Sequence, residues 1–266
     1  MIMQPHIQIS KVSKVFSTGE REVAALDDIN LDIKPGEFVC LLGPSGCGKS
    51  TLLNAVAGFS LPTAGVIHVN GKPVQAPGPD RGMVFQEYAL FPWMTVENNI
   101  AFGLEIQKQT KAQIGEKVGA LLEMLKLQDF RDRYPKDLSG GMRQRVAIAR
   151  VLALDSPIML MDEPFGALDS LTRRNLQDEL LRIWMEFRKT IIFVTHSIEE
   201  SIYLADRIIV MTYRPGKIKK DVSVNMPHPR DPSSAEFNDL KKELGLLVME
   251  EQSRHNQEEI KAPTAD

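Results

Sequence analysis

Two cysteines in 266 residues exclude a disulfide framework and fit a reducing compartment. Long hydrophobic runs are also missing. Those present, such as Ile158 to Met161 and Ile208 to Met211, fall far short of the roughly 20 residues that a membrane-spanning helix needs. Met1-Ile2-Met3-Gln4 has neither the basic start nor the apolar core of a signal peptide, so the chain is expected to stay in the cytosol. Nor is there an excess of positive charge: a formal net charge of −3 argues against a nucleic-acid partner, whose phosphates demand a basic surface. No internal repeat is visible. What remains is 43% hydrophobic and 25% charged, ordinary for a globular chain long enough for one large domain or two small ones.

The strongest local signal is Gly43-Pro44-Ser45-Gly46-Cys47-Gly48-Lys49-Ser50, which reads G-x-x-x-x-G-K-S. It follows Phe38-Val39-Cys40-Leu41-Leu42, an apolar run expected to be a buried parallel strand, and precedes a helical stretch from Thr51 to Ala57. Strand, glycine loop and helix in that order make a phosphate seat, because loop and first-turn N–H groups all point at one concavity. Lys49 is then expected on the β- and γ-phosphates of a nucleotide, and the Ser50 hydroxyl on a magnesium ion.

Around this loop the chain alternates in character. Ile7 to Val15, Val23 to Leu26 and Ile29 to Ile33 suggest strands, and Val66 to Lys72 another that ends in an Asn-Gly turn. Phe16 stands near a polar loop, where an aromatic ring is either core or a platform for a base. Met83-Val84-Phe85 reads as a central strand with Gln86 at its end, placed to sense a metal or an attacking water. From Tyr88 to about Asp155 the pattern turns helical, over Val96 to Leu104, Lys111 to Leu125 and Arg143 to Leu154. Within that stretch Leu138-Ser139-Gly140-Gly141-Met142 opens a helix and is either an anion seat or an ordinary cap. Ile158 to Met161 is a strand running into Asp162 and Glu163. Because strand neighbours point to opposite faces, the two acids are expected to divide the work, Asp162 at magnesium and Glu163 at the water attacking a γ-phosphate. A helix from about Leu171 to Phe187 leads to the strand Thr190 to Thr195, with His196 at its end as a donor to a phosphate oxygen. A short helix to Ala205 and a strand from Arg207 to Met211 follow. Beyond Gly216 the signal fades to one amphipathic helix carrying Phe237, Leu240, Leu244, Leu247 and Val248, with a polar and frayed tail expected from Gln252 onward.

Taken together, GPSGCGKST, Gln86, LSGGM, IMLMDE, ALD and His196 resemble, in this order, the motifs of ABC (ATP-binding cassette) transporter ATP-binding subunits, over about residues 7 to 215. The resemblance implies an α/β fold: a P-loop NTPase core with a mostly parallel central sheet, an antiparallel β subdomain and an inserted helical subdomain at about 88–155. It implies an ATPase domain over 1–220 and a C-terminal helix and polar tail over 221–266. It also implies ATP bound by Gly43 to Thr51 and stacked on Phe16, with Ser50, Gln86 and Asp162 at Mg²⁺, and Lys49, Glu163 and His196 serving hydrolysis. Ser139, Gly140, Gly141 and the D-loop residue Asp169 are implied to close over nucleotide in a head-to-tail dimer with a second copy or a paralogous subunit. Met142 departs from the family pattern, which more commonly has Gln there.

Finer segments, PGPDRGMVFQEYALFPWMTVENNIAFGL and THSIEESIYLADRIIVM among them, look like importers of nitrate, sulfonate, taurine and bicarbonate. That likeness implies a peripheral subunit on the cytoplasmic face of a bacterial inner membrane. Its partners would be transmembrane permease subunits, met near Phe91-Pro92-Trp93, and indirectly a solute-binding protein, with no nucleic acid. A soluble cassette ATPase or the ATPase of an exporter is the alternative. Cys47, beside a helix N-terminus and Lys49, is expected to favour the thiolate and to be protected from maleimide by Mg-ATP.

Overall fold

The computed structural model describes residues 5 to 19 and 21 to 261. Up to residue 78 it forms strands β1 (Ile7–Thr18), β2 (Arg21–Ile33) and β3 (Phe38–Leu42), helix α1 (Lys49–Ala57), and strands β4 (Ala64–Val69) and β5 (Lys72–Pro73). Next come β6 (Arg81–Val84), helices α2 (Val96–Ile106), α3 (Lys111–Met124) and α4 (Gly140–Ala153), strand β7 (Ile158–Asp162) and helix α5 (Ser170–Phe187). Last are β8 (Thr190–Thr195), α6 (Ile198–Leu204), β9 (Arg207–Met211), β10 (Ile218–Ser223) and α7 (Ala235–Lys261). The chain divides into two units, Met1–Gly78 with Phe187–Asp266, and Pro79–Glu186.

In the first unit the period-2 pattern of Ile7, Ile9, Ile29, Leu31 and Ile33 produces an antiparallel sheet of order β2-β1-β4-β5, those residues turned to its buried face. Its register pairs Ile7 with Ile33 on one side and with Val69 on the other. The strands expected at Val23 to Leu26 and Ile29 to Ile33 are one continuous β2, bent where the register to β1 shifts and Asp28 takes φ 51. A second sheet runs β10-β9-β3-β8. Here β3 is parallel to both β8 and β9, and all five of its residues are buried, as expected for a strand covered on both faces. Phe38 and Phe193 meet in this layer with ring centroids 5.9 Å apart.

β10 was not legible beforehand. Its sequence IKKDVS is polar because it is an edge strand paired only to β9, where lysines discourage further pairing. α7 also corrects part of an expectation: the polar stretch from Gln252 continues as helix to Lys261 instead of fraying, while the rest of that expected tail, 262–266, lies outside the described residues. The apolar stripe simply passes into Glu251, which is fully buried, and half-buried His255.

In the second unit β6 and β7 are a parallel pair, with Val84 opposite Met161. The helices between them keep the expected order. α2 and α3 start where Thr95 and Thr110 accept from the N–H groups of Asn98 and Gln113, and α3 has a full capping box. Val118, Leu121 and Leu122 on α3 and Ile100 and Leu104 on α2 are buried at the three- and four-residue spacing that marks a core-facing stripe.

Candidate functional site

In the first unit, β3 delivers Gly43 and β8 delivers His196. Because Leu42 is paired in register with Thr195, the next residue on each strand emerges at the same sheet edge, the carboxyl ends of parallel strands. Gly48 occupies the N-cap of α1 with φ 96, a left-handed conformation that a side chain resists. A Cβ there would lie 2.7 Å from the Ala25 carbonyl oxygen and 2.8 Å from Leu26 Cδ2, so only glycine lets the loop rest on β2. The first turn of α1 carries no acidic residue, and its N–H groups face the loop's concavity unopposed by negative charge. Lys49 is buried, and its Nζ donates to the carbonyls of Gly43 at 2.8 Å and Pro44 at 2.9 Å. The ammonium is therefore held at the loop mouth by its own backbone. Pro44 is buried, Ser45 and Gly46 are exposed at the tip, and Ser50 and Thr51 are half-buried in the first turn of the helix. Phe16 is 42% exposed with Lys14 Nζ 5.1 Å from its ring centre, so it is not the core residue that its strand position alone allows. His196 is exposed, one residue before the Ser197 that caps α6.

Cys47 corrects the expectation of a reactive thiolate. Its side chain is 0% exposed, and burial pushes the thiol pKa up by more than the neighbouring Lys49 ammonium, 3.7 Å from Sγ, brings it down. The sulfur packs beneath the loop, leaving the backbone as its contribution to a ligand.

In the second unit the β6 and β7 register brings Gln86 and the pair Asp162 and Glu163 to neighbouring strand ends. Strand alternation does not separate the two acids, however. β7 ends at Asp162, and Glu163 turns out of it with φ 41, a conformation uncommon for any residue but glycine. Such strain is retained where the position of a side chain matters. Gly166 lies between Glu163 and Gln86, a Cβ on it falling 3.8 Å from Glu163 Oε2 and 3.9 Å from Gln86 Nε2.

Ser139 is the N-cap of α4. Its hydroxyl accepts from the Met142 N–H at 3.3 Å, and Gly140 and Gly141 form the first turn. Asp169, exposed, likewise caps α5 by accepting from the Thr172 N–H at 3.0 Å, and that bond lowers its carboxyl pKa. Each capping group leaves the neighbouring first-turn N–H groups directed outward.

The loop between Gln86 and α2 is more tightly built than its sequence suggests. Asn99, fully buried, accepts from the Phe91 N–H at 2.9 Å and donates to the carbonyls of Phe91, Met94 and Thr95. Arg150 donates to the carbonyls of Ala89 at 2.7 Å and Tyr88 at 3.2 Å and lies over the Phe91 ring. Trp93 remains 70% exposed at the apex. Asn99 and Arg150 escaped sequence reasoning, since a polar residue on a helix gives no local sign that it serves a distant loop.

The ABC transporter family model matches residues 26–166. An uncharacterized ABC transporter ATP-binding protein of Methanocaldococcus jannaschii is 48% identical over 94% of this chain and 93% of its own. The aliphatic sulfonates import ATP-binding protein of Bacillus cereus is 46% identical over 90% of this chain and 94% of its own. The nitrate import ATP-binding protein of Synechocystis is 46% identical over 84% of each. Among solved structures, the dimeric post-hydrolysis state of an ATP-binding cassette bound to ADP and Pi superposes with a TM-score of 0.74. It is 33% identical and covers 83% of this chain and all of the other.

Proposed function

Because the chain belongs to the ABC transporter family and is an ATPase of the ATP-binding-cassette type, we propose that it drives a membrane importer of a small anionic solute such as nitrate, a sulfonate, taurine or bicarbonate. One observation carries the importer reading: identity of 46% with ATP-binding proteins of both sulfonate and nitrate import, along most of each chain. No helix among the described residues is long and apolar enough to cross a membrane, which agrees with a peripheral subunit that relies on separate permease chains. Trp93, exposed on a loop held rigid by Asn99 and Arg150, suits the surface that meets such a permease. The proposed location is the cytoplasmic face of the inner membrane.

In this reading the N–H groups of the residues from Gly43 to Thr51, other than Pro44, which has none, hold the ATP phosphates, and Phe16 stacks on the adenine. Lys49 exchanges its loop carbonyls for β- and γ-phosphate oxygens. Glu163 orients the attacking water, and His196 donates to a γ-phosphate oxygen. Ser50, Gln86 and Asp162 offer a hydroxyl, an amide oxygen and a carboxylate, the hard oxygen donors that suit Mg²⁺. What the ion supplies when bound is neutralisation of charge on the phosphoryl oxygens. Ser139 to Gly141 and Asp169 serve the ATP of a second copy, as the dimeric assembly of the related cassette supports. Nucleotide then favours the closed dimer, because it gains contacts there that the open form does not provide, and hydrolysis removes that preference.

Isolation of the intact membrane complex through this chain, followed by identification of the solute on its capture protein, tests the assignment. Permease subunits and an anion-loaded capture protein are expected. Recovery of the chain without any membrane subunit would overturn the importer reading.

A further inference from the structure

Arg214 and the end of α7 are left unused by the function above, yet they reach the nucleotide loop, whose reading as an ATP site is the premise here. The Gly46 carbonyl at the loop tip accepts from Arg214 Nε at 3.2 Å. In a trans peptide the carbonyl and the following N–H point in opposite directions. Drawing the Gly46 oxygen toward the guanidinium therefore aims the Cys47 N–H into the loop, where its own contact with the Pro44 carbonyl is long, 3.4 Å. Without that restraint the Gly46 peptide is free to turn, and a carbonyl turned inward would oppose a polyphosphate.

The segment carrying Arg214 is fixed from two sides. Gly216 exchanges backbone bonds with β2, donating to Ala25 at 3.0 Å and accepting from Asp27 at 3.0 Å. A Cβ on Gly216 would lie 2.3 Å from the Cys47 carbonyl oxygen, so this backbone runs directly against the loop. From the other side α7 holds Tyr213. The Tyr213 N–H donates to Glu251 Oε2 at 2.9 Å, and its ring meets that of His255 with centroids 4.4 Å apart. Glu251 is 0% exposed and also accepts from Lys219 at 2.6 Å, with Arg254 at 3.4 Å. A carboxylate buried at this depth is tolerated only with such partners, which makes the attachment directional and specific.

We propose that Arg214 and Glu251 are positioning residues for ATP binding, and that α7 sets the affinity of the nucleotide loop through Glu251, Tyr213, Arg214 and the Gly46 carbonyl in that sequence. Neither residue touches the reacting atoms. Their loss weakens binding of ATP and ADP and leaves turnover at saturating ATP within about twofold of normal, since the hydrolytic groups stay in place.

The test is equilibrium binding of Mg-ATP and Mg-ADP, with steady-state hydrolysis, on the full chain and its variants. Arg214→Ala and Glu251→Ala should each raise Kd about fivefold, the loss of one ordinary hydrogen bond. Arg214→Lys, which keeps a donor, and Glu251→Gln, which keeps an acceptor for the Tyr213 N–H, should recover part of that loss. The double alanine variant should be no weaker than about twice the worse single, because both act along one path. Wild-type Kd in either alanine variant, fully additive losses, or a fall in saturated turnover with unchanged Kd would overturn the proposal while leaving the ATPase reading intact. Failure of the unaltered chain to bind either nucleotide would overturn both.

Discussion

Replacing Asn99 by alanine removes four hydrogen bonds but leaves fewer groups stranded than that number suggests. The Thr95 carbonyl keeps the Asn99 N–H at 2.9 Å, and the Phe91 carbonyl keeps the Met94 N–H at 3.1 Å. The Phe91 N–H, which donates to Asn99 Oδ1 at 2.9 Å, and the Met94 carbonyl, which accepts from Nδ2 at 3.1 Å, are the two that lose their bonds outright. An unsatisfied buried backbone group costs about 1–3 kcal/mol, so two partly sheltered ones set a loss of about 2–4 kcal/mol. Asn99→Asp keeps the acceptor for Phe91 but turns a buried carboxylate oxygen on the carbonyls of Phe91, Met94 and Thr95, so at neutral pH it should destabilise at least as much as alanine. Denaturant unfolding gives the stability change as a shift in midpoint at constant slope, and hydrogen exchange at the Phe91 amide reports the local effect. Unchanged protection of Phe91 together with an unchanged midpoint would refute the claim that this side chain holds the loop.

Two further outcomes follow from burial and charge. Both cysteines are buried and burial raises both thiol pKa values, so maleimide should leave the native chain unlabelled with or without nucleotide and modify two thiols after denaturation; rapid labelling of native Cys47 would contradict the packing described. Arg131 hydrogen-bonds both carboxylate oxygens of Glu97 and holds its pKa below the ordinary value. A lowered carboxyl pKa stabilises the fold above the unfolded value of about 4.3 and loses that contribution as pH falls through the folded value. Glu97→Gln should thus cost up to ~1 kcal/mol at pH 7, with the difference from wild type shrinking toward zero in acid. A difference that grew on acidification would have the wrong sign.

Much of the fold was legible because its signals are local. The glycine loop, the apolar strands β3, β7, β8 and β9 and the Ser139 cap each announce themselves within a few residues. What escaped depends on distant partners. β10 is polar because only one neighbour covers it, and the end of α7 reads as a solvated tail because its buried position is filled by Glu251, whose charge is met by Lys219 on β10. Cys47 was misjudged for the same reason. Its sequence neighbours, Lys49 and a helix N-terminus, favour a thiolate, whereas the burial that outweighs them is created by the tertiary fold. Asp162 and Glu163 stand at the end of β7 as their sequence suggests, but the strand alternation expected to separate them ends one residue too soon, at Asp162.

Static light scattering of the Glu163→Gln chain, paired with a phosphate-release assay, bears most directly on the proposal that two copies complete each other's site around ATP. Removal of the carboxylate should abolish turnover while ATP still binds, giving the mass of a dimer in saturating Mg-ATP and of a monomer without nucleotide. Hydrolysis at the wild-type rate, or a monomer under saturating ATP, would contradict it.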